Sequence, residues 1–455
     1  MVTGKHGFVN ESGYQTVTKP TAFRRKNPPP IIGGMQATSA PDSGHEARLV
    51  GWLSLGQLIS WGSVFYLFAL VMVPVEQAFG LSRTQSSLAF SLALLTEGLL
   101  AYPVGRWIDQ GHERRVMTAG SLWLAVCLAL HSVASGPIAF YAVWAGLGAG
   151  MAATLYTPVF AVVTRRFPQD YRRAIITMTF LGGLASTVFI PLIAWLMEHL
   201  GWRHALLVLA ALHLLVVAPL HWCLLLGAPA KVVQGVNAHT TAASHASKTD
   251  SLKHHLHSTP FLLVGIFVVL TMGVTAALPT HMVTLLRESG LGEQWAIAIP
   301  AAIGVAQVSG RLLLFFFERH FNVHWANRII PCLMPLALAS LLLALASTAS
   351  SLESFHHIAL PLVCLFVLLW GIGNGMLTIV KGTAIAQYVS RTHAASLNGA
   401  LGLPLALSRA AAPMGLGWLW SSEYGYRNGL WVLLAMGAAG VVALWMAQAT
   451  HRQAS

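Results

Sequence analysis

The sequence predicts an all-α membrane protein of twelve transmembrane helices, arranged as two pseudo-symmetric bundles of six. Composition is the first reason: only 9% of the 455 residues are Asp, Glu, Lys or Arg, whereas 55% are hydrophobic. A soluble protein has roughly a quarter of its residues charged, so these charges are too few to cover a body of this size in water. The second reason is a series of long apolar runs.

Twelve apolar runs follow one another along the chain, and we number them as spans one to twelve. About 20 apolar residues cross a bilayer as a helix, which satisfies its backbone groups within the segment. Prolines inside the runs, such as Pro103, Pro191 and Pro413, are tolerated because neighbouring helices satisfy the freed groups. The runs lie at residues 49–75, 84–105, 115–134, 138–163, 173–198, 203–226, 260–285, 293–317, 325–348, 357–386, 394–419 and 427–448.

Polar segments divide the chain into domains. Residues 1–47 have no apolar signal-peptide core and are predicted to form a disordered cytoplasmic tail. The longest polar interruption, at 227–258, separates an N-terminal six-helix bundle at 48–226 from a C-terminal one at 259–449. Residues 450–455 form a short cytoplasmic tail. The central loop contains histidines without companion cysteines or carboxylates at ligand spacing, so we expect a solvated linker and no metal site.

The distribution of Lys and Arg predicts the orientation. With the N terminus in the cytoplasm, 21 of the 27 cations fall in cytoplasmic segments, two lie inside spans, and four face the other side: Arg83, Arg203, Arg287 and Arg427. Cytoplasmic loops carry the excess of Lys and Arg, so both termini are expected in the cytoplasm, in a multi-pass protein of the inner cell membrane. The net charge of +12 then reflects topology and implies no nucleic-acid partner.

Internal matches indicate that the two halves are duplicated. Three short motifs of the first half recur in the second half in the same order, as expected for transporters built from repeats. The matched segments are Gly146-Leu-Gly-Ala-Gly-Met151 with Gly371-Ile-Gly-Asn-Gly-Met376, at an offset of 225, Gly201-Trp-Arg203 with Gly425-Tyr-Arg427, at 224, and Gly105-Arg106 with Gly310-Arg311, at 205.

The loop after span two reads Gly105-Arg-Trp-Ile-Asp109-Gln-Gly111-His-Glu-Arg114-Arg115. It resembles the signature loop of the major facilitator superfamily, which is Gly-x-x-x-Asp followed by paired basic residues, although Gly111 falls one place earlier than in the family pattern. The resemblance covers the chain from about residue 48 to about residue 449. It implies a secondary transporter with two bundles around a central cavity, which rock to expose that cavity alternately to the two sides.

The same resemblance implies that Gly105, Asp109, Arg114 and Arg115 form a latch for one of the alternating states. Gly105 is expected to let helices approach closely, as small residues do in membranes. The Asp109 carboxylate can cap a helix N-terminus and bind Arg114 or Arg115. The alternative is a simple cytoplasmic anchor of positive charge.

Span one, from Ser54 to Tyr66, and the run from Gly182 to Arg203 look like those of the bacterial monocarboxylate-porter-like branch of this family. Characterised members of that branch carry a Lys in the first helix and an acid–base pair in the eighth. Here span one has no cation, and span eight offers only Arg311, near its cytoplasmic end. The branch therefore does not identify the substrate.

One acidic residue, Glu97, lies deep inside a span. It precedes Gly105 by eight residues, which places it about 12 Å inside at 1.5 Å per residue. A carboxylate at that depth costs several kcal/mol unless it is protonated, hydrated or paired. We predict that Glu97 is the proton-coupling site; the alternative is a structural partner for a buried cation or hydroxyl.

Two cations, Lys381 and Arg409, also lie inside spans. Lys381 is about 15 Å deep in span ten, Asn374 lies seven residues earlier on the same helix face, and the offset of 225 matches Lys381 with Tyr156. We predict that Lys381 and Arg409 line the cavity and bind an anionic group, with Asn374 and Tyr156 beside them. Alternatively, one of the cations neutralises Glu97 or extends to an interface.

Weaker candidates complete the list. Gln57 and Trp61 are four residues apart on span one and are predicted to contact the substrate, although plain helix packing explains the spacing equally well. His213 and His281 are interpreted as hydrogen-bonded structural residues, with proton relay as the alternative. Soluble segments contain no nucleotide-binding or nucleophile motif, so we expect neither an enzyme nor a cofactor.

These observations predict proton-coupled, alternating-access transport of a small organic, monocarboxylate-like anion by a monomer in the lipid bilayer. One alternative is efflux of drugs or metabolites by proton antiport. The other is a membrane sensor that transports nothing.

Overall fold

The computed structural model describes residues 43–167, 171–227, 255–317, 323–348, 358–390 and 394–454. From Ser43 onward the chain forms one compact unit. The described residues are mostly helical and contain no β-strand beyond one bridge between Ser421 and Gly425. The first helix begins inside the tail predicted at 1–47, and the last runs through most of the predicted tail at 450–455. The histidines of the central loop from His239 to His254 lie outside the described residues.

The helices follow the predicted spans in order. In the N-terminal half they are Ser43–Ser60 and Leu67–Phe79 (span one), Arg83–Trp107 (two), Glu113–Val133 (three), Pro137–Thr154 and Tyr156–Arg166 (four), Tyr171–Gly183 with the first part of Ala185–Leu212 (five), and the rest of that helix with Ala218–Leu224 (six). In the C-terminal half they are Thr259–Glu288 (seven), Glu293–Phe317 (eight), Val323–Ile329 and Leu333–Thr348 (nine), Leu360–Tyr388 (ten), Ala394–Ala400 and Gly402–Trp418 (eleven) and Arg427–Ala454 (twelve).

Nine continuous helices in the described part of the chain are long and apolar enough to cross a membrane. Two of them, Arg83–Val133 and Ala174–Leu224, are 51 residues long. Each would extend about 76 Å if straight, far more than one crossing needs. Both turn back midway and supply two spans each. Span eleven is interrupted at Leu401 and falls outside the nine, so the helices are consistent with twelve crossings.

Glycines make the reversals in the two long helices. Gly111 has φ 92° and Gly201 has φ 76°, a region that glycine adopts readily and other residues rarely do. Gly111 is therefore the turn residue of the signature loop, even though it stands one place earlier than the family pattern. Gly425, the repeat partner of Gly201, also has a positive φ of 52°.

Each half has its own buried core, which confirms the predicted all-α fold of two bundles. Phe68, Phe90 and Trp144 are fully buried in the N-terminal half and stack edge to face. Phe366 and Trp370 are equally buried in the C-terminal half. The short turn between spans one and two is stabilised by a capping box, in which Ser82 and Gln85 bond each other's backbone amides.

Both glycine triads of the internal repeat allow close helix packing. A Cβ on Gly148 of span four would lie 2.1 Å from the Ala93 carbonyl oxygen of span two. Likewise, a Cβ on Gly375 of span ten would lie 2.2 Å from the Gln307 carbonyl oxygen of span eight. The glycines that make these contacts do not occupy matching positions in the two repeats, however. Gly373, which the offset of 225 matches with Gly148, packs on Leu333 of span nine instead. The two glycine triads therefore use different faces for their contacts, and the pairing of Lys381 with Tyr156 by that offset stays a prediction.

Spans two and eleven, one from each half, meet closely near one end of the molecule and diverge toward the other. We call the end with Ser43 and Ala454 the terminal face, and the opposite end, with the turn at Gly80, the distal face. Spans two and eleven touch near the distal face, where a Cβ on Gly417 would lie 2.7 Å from Ser87 Oγ.

Toward the terminal face the same two spans diverge. A Cβ on Gly98 would still lie 2.7 Å from Ala406 Cβ, but a Cβ on Gly105 or on Gly402 would meet no described atom within 4 Å. The expectation that Gly105 brings helices together is therefore wrong for this state. The structure is closed at the distal face and opens between these spans toward the terminal face.

Candidate functional site

Glu97 and Arg409 form an ion pair between the halves. Arg409 Nη2 of span eleven lies 3.0 Å from Glu97 Oε2 of span two, and the two side chains are 22% and 11% exposed. The pair lies beside the Gly98–Ala406 contact, where the two spans begin to diverge. The structure thus matches the alternative considered for Arg409, which is neutralisation of Glu97.

Lys381 has no carboxylate partner among the described residues. Its Nζ lies 3.2 Å from the thioether sulfur of Met272, which is a weak acceptor. The nearby charges that act on it are Arg409 and Arg311, both positive. An ammonium with this environment is poorly neutralised by the protein itself.

Arg311 is buried in the same region, which the sequence did not lead us to expect. It is 9% exposed and donates to the Thr179 carbonyl, with the Tyr156 ring nearby. Arg311 is one of the 21 cations that the sequence places in cytoplasmic segments. Its burial could have been inferred from its position in the helix. Arg311 lies six residues before Phe317, where the helix ends, which places it about 9 Å inside.

Aromatic rings line the region next to Arg311. Trp61 and Tyr156 have ring centroids 4.8 Å apart, and Tyr156 stacks on Phe160 at 5.1 Å. Trp61 opens a π-helical turn, Trp61–Phe65, a feature that often marks functional sites. Trp61 and Tyr156 were both predicted to contact the substrate, and the structure brings them together.

Gln57 lies elsewhere. Its side chain is fully buried and its Nε2 donates to the Thr154 carbonyl at 2.6 Å, inside the N-terminal bundle. In this conformation Gln57 therefore contacts span four rather than open space between the halves.

Asn374 lines a small pocket of about 30 Å³ between the halves. The polar side chains around it are Tyr66, Ser186 and Gln307. The remaining wall is apolar and consists of Ile190, Pro279, Met282, Pro300, Ile303 and Trp370. Sequence reasoning missed Tyr66 and Gln307, although each is a polar residue within an apolar run.

We call Glu97, Arg311, Lys381 and Arg409 the central charge cluster. It contains three cations and one carboxylate, and that carboxylate is bound to Arg409. Unpaired charge is costly away from water, so the cluster favours an additional anion. Within the described ranges, no group of three or more His, Cys, Asp or Glu is placed to hold a metal ion.

The predicted latch is not assembled in this state. Asp109 is exposed and forms no ion pair with any described residue, while Arg114 donates to the Trp222 carbonyl at 2.7 Å and lies over its ring. The carboxylate engaged at this face is Glu113, which is fully buried and accepts from Arg166 at 2.5 Å. These contacts join spans three, four and six of one half, and Arg115 takes no part in them.

A second charged group closes the distal face; we call it the distal cluster. Arg83 bonds Glu76 of span one and Glu288 of span seven, each at 2.8 Å, and its Nη1 donates to the Tyr426 hydroxyl at 2.6 Å. The guanidinium also lies over the ring of Trp420, at 4.9 Å. The cluster consists of Glu76, Arg83, His281, Glu288, Trp420 and Tyr426.

Two helical bundles with a charged site between them are the architecture of a membrane transporter. The sequence pattern of the Major Facilitator Superfamily matches residues 53–353. The chain belongs to the major facilitator superfamily.

Two curated relatives match part of the chain. Monocarboxylate transporter 13 of Bos taurus is 30% identical over 215 residues, which are 46% of this chain and 47% of the relative. The uncharacterized MFS-type transporter YcxA of Bacillus subtilis (strain 168) is 24% identical over 257 residues, 54% of this chain and 59% of the relative. The chain thus matches about half the length of each.

Solved structures share the fold. A bacterial homolog of the human lysosomal transporter Spinster, inward-facing and unoccupied, has a TM-score of 0.66 at 16% identity, covering 90% of this chain and 98% of that one. A D-xylose–proton symporter has a TM-score of 0.63 at 16% identity, covering 88% and 97%. At such identities the likeness concerns the fold alone.

Proposed function

We propose that this protein moves a small organic anion across the membrane, coupled to protons, by alternating access. The observation that carries the proposal is the surplus of positive charge in the central charge cluster. Arg311 and Lys381 lack carboxylate partners among the described residues. A guanidinium can bind a carboxylate through two parallel hydrogen bonds, and an ammonium adds a point charge. The similarity to a monocarboxylate transporter supports this substrate class.

Glu97 is the proposed proton site. Its ion pair with Arg409 joins spans two and eleven across the interface of the halves. Protonation would remove the negative charge, release Arg409 toward an incoming anion and loosen the contact between the two spans. A proton and an anion would thereby influence the same conformational equilibrium, which is the requirement for coupling.

The orientation and the domain limits are also proposed. The terminal face is assigned to the cytoplasm of the inner membrane because most Lys and Arg residues lie there; the burial of Arg311 lowers that count by one. The bundles are assigned to 48–226 and 259–449, joined by the loop at 227–258, and the unit of transport is assigned to one copy of the chain.

Flux measurements in proteoliposomes test the substrate class. We expect uptake of small carboxylates, competition by other carboxylates, and weak transport of neutral or cationic compounds of similar size. Preferential transport of cations would contradict the proposal and favour drug efflux. Absence of flux for every solute class would favour a membrane sensor.

The coupling role of Glu97 has a separate test. We expect Glu97→Gln to exchange substrate across the membrane but to lose its acceleration by a pH gradient, because a glutamine cannot bind and release a proton. Glu423→Gln, at an exposed loop position, is the matched control and should retain the acceleration. If Glu97→Gln responds to the gradient as fully as the wild type, the assignment is wrong.

A further inference from the structure

The hydrogen bonds around His281 in the distal cluster run in one direction. Arg83 Nη1 donates to the Tyr426 hydroxyl, which lies 3.0 Å from His281 Nδ1, and His281 Nε2 lies 2.9 Å from the Pro413 carbonyl. Arginine only donates and a carbonyl only accepts. The carbonyl of Pro413 therefore requires hydrogen on Nε2, and in a neutral imidazole Nδ1 is then the acceptor for the hydrogen of the Tyr426 hydroxyl. Every partner is satisfied when His281 is neutral.

This chain of hydrogen bonds crosses from one half to the other. Arg83 begins span two, whereas His281, Pro413 and Tyr426 belong to the C-terminal half. Ser87 of span two adds a contact of 3.3 Å to His281 Nε2 and donates its own hydrogen to the Arg83 carbonyl. Since His281 is fully buried and Tyr426 is 4% exposed, water cannot easily replace a lost partner.

We propose that His281 is a second proton-binding site, and that its protonation opens the distal face; this inference rests on the proposed proton-coupled transport. An imidazolium carries hydrogen on both ring nitrogens. Its Nδ1–H would point at the Tyr426 hydroxyl, which would then lose the acceptor for its own hydrogen. The new positive charge would also face Arg83. Both effects weaken the contacts that hold the distal face closed.

The neighbouring carboxylates bind Arg83 rather than His281. The titratable groups of the described residues around His281 are Arg83 of span two, Tyr426, Glu76 of span one and Glu288 of span seven. Both carboxylates are already bound to Arg83, and Glu76 also accepts from Ser86. Of these four titratable groups, the one that hydrogen-bonds His281 directly is Tyr426, through its hydroxyl.

The position of His281 complements that of Glu97. Ser87, which contacts His281, lies ten residues before Glu97, about 15 Å away along span two. His281 is thus at the distal side of the interface, and Glu97 lies where the opening toward the terminal face begins. A proton entering from the distal compartment would favour opening to that compartment.

Spin labels across the distal face test this inference without any substrate. The full chain, with Cys127, Cys223, Cys332 and Cys364 replaced, would carry labels at two exposed distal positions, Ser135→Cys in the N-terminal half and Gln294→Cys in the C-terminal half. Distance distributions would be recorded from about pH 8 to about pH 5, the range over which histidine ordinarily changes charge. We expect the ratio of distal-open to distal-closed protein to rise about tenfold as the pH falls.

Two variants and one control show whether the pH response depends on His281. His281→Gln should abolish the pH response, and Tyr426→Phe should weaken closure at every pH. His213→Gln is the matched control, because His213 is an equally buried histidine that bonds Ser63 inside the N-terminal half. A full response in His281→Gln, or no response in the wild type, would overturn the inference. A response without any anion flux would instead refute the proposed function and leave this inference standing.

Discussion

At the scale of single residues, the uneven pairing of buried charges is the main feature. Among the described residues, Arg409 has a carboxylate partner in Glu97, whereas Lys381 contacts a thioether and Arg311 donates to a backbone carbonyl. A cation without a counter-ion is costly in a poorly hydrated region, and an anion that binds there removes that cost. Selectivity for anions would then follow from the charges that the protein leaves unpaired.

Lys381→Met tests the contribution of the ammonium. Methionine keeps the length of the side chain and removes the charge, so an anionic substrate loses one charge-assisted contact. We expect anion affinity to fall about tenfold or more, which is typical for loss of a hydrogen bond to a charged group. The measurement is the KM for carboxylate uptake in proteoliposomes. Lys381→Arg keeps the charge and should retain part of the affinity; equal KM values in all three proteins would exclude a role for the charge.

The Glu97–Arg409 pair makes a prediction about stability. Glu97→Gln or Arg409→Gln alone leaves the other charge without its partner and should lower the free energy of unfolding by about 2 kcal/mol. The double variant removes both charges and should be more stable than either single variant. Thermal unfolding of the four proteins in detergent measures this coupling, and strictly additive losses would show that the two side chains do not interact.

At the scale of helices, glycine determines how closely the spans approach. Gly148 allows span four to touch the backbone of span two, whereas Gly105 and Gly415 face open space. The family motif alone suggested a packing role for Gly105. A motif records residue type, and only the positions of neighbouring helices decide whether a missing side chain is used for contact.

Gly148→Ala tests this packing. The added Cβ would lie 2.1 Å from the Ala93 carbonyl oxygen, so one of the two helices must move. We expect a loss of about 1–3 kcal/mol of stability, as for other overpacked interfaces. Gly415→Ala adds the same methyl group where nothing lies within 4 Å and should be neutral or slightly stabilising. Melting temperatures in detergent compare the two, and equal effects would contradict the close packing.

At the scale of the whole molecule, spans two and eleven of the two halves are in contact near one face and apart toward the other. The distal cluster and the Ser87–Gly417 contact hold the halves together at the distal face, while spans two and eleven separate toward the terminal face. Asp109, which is exposed and has no ion pair with any described residue, lies at the end of span two where these spans are apart. Alternating access requires a second state in which the halves separate at the distal face and come together at the terminal face.

Disulfide trapping tests the arrangement of the two ends. Ser87→Cys with Gly417→Cys should form a disulfide and block transport until it is reduced, since the built Gly417 Cβ lies 3.2 Å from Ser87 Cβ, close to the separation that a disulfide needs. Gly105→Cys with Gly402→Cys is the control and should remain reduced in this state. Gel mobility and flux, each with and without reductant, provide the readout. Crosslinking of the control pair alone would indicate the opposite state.

Much of the fold could be predicted from the sequence because membrane insertion depends on local properties. The length of each apolar run, the small number of charges and the asymmetry of Lys and Arg are all readable without any long-range contact. The same holds for the identity of the unusual residues, since Glu97, Lys381 and Arg409 stand out within apolar runs. The family assignment followed from one loop and is confirmed by the match over residues 53–353.

Only the tertiary structure decided which of these groups interact. Arg409 and Glu97 are 312 residues apart, and Arg83 and Tyr426 are 343 apart, so no local pattern pairs them. The burial of Arg311 and the exposure of Asp109 likewise depend on how far neighbouring helices separate. A sequence determines where charge enters the membrane, but the partner of a charge is set by the packing of the two halves, which brings distant segments within hydrogen-bonding distance.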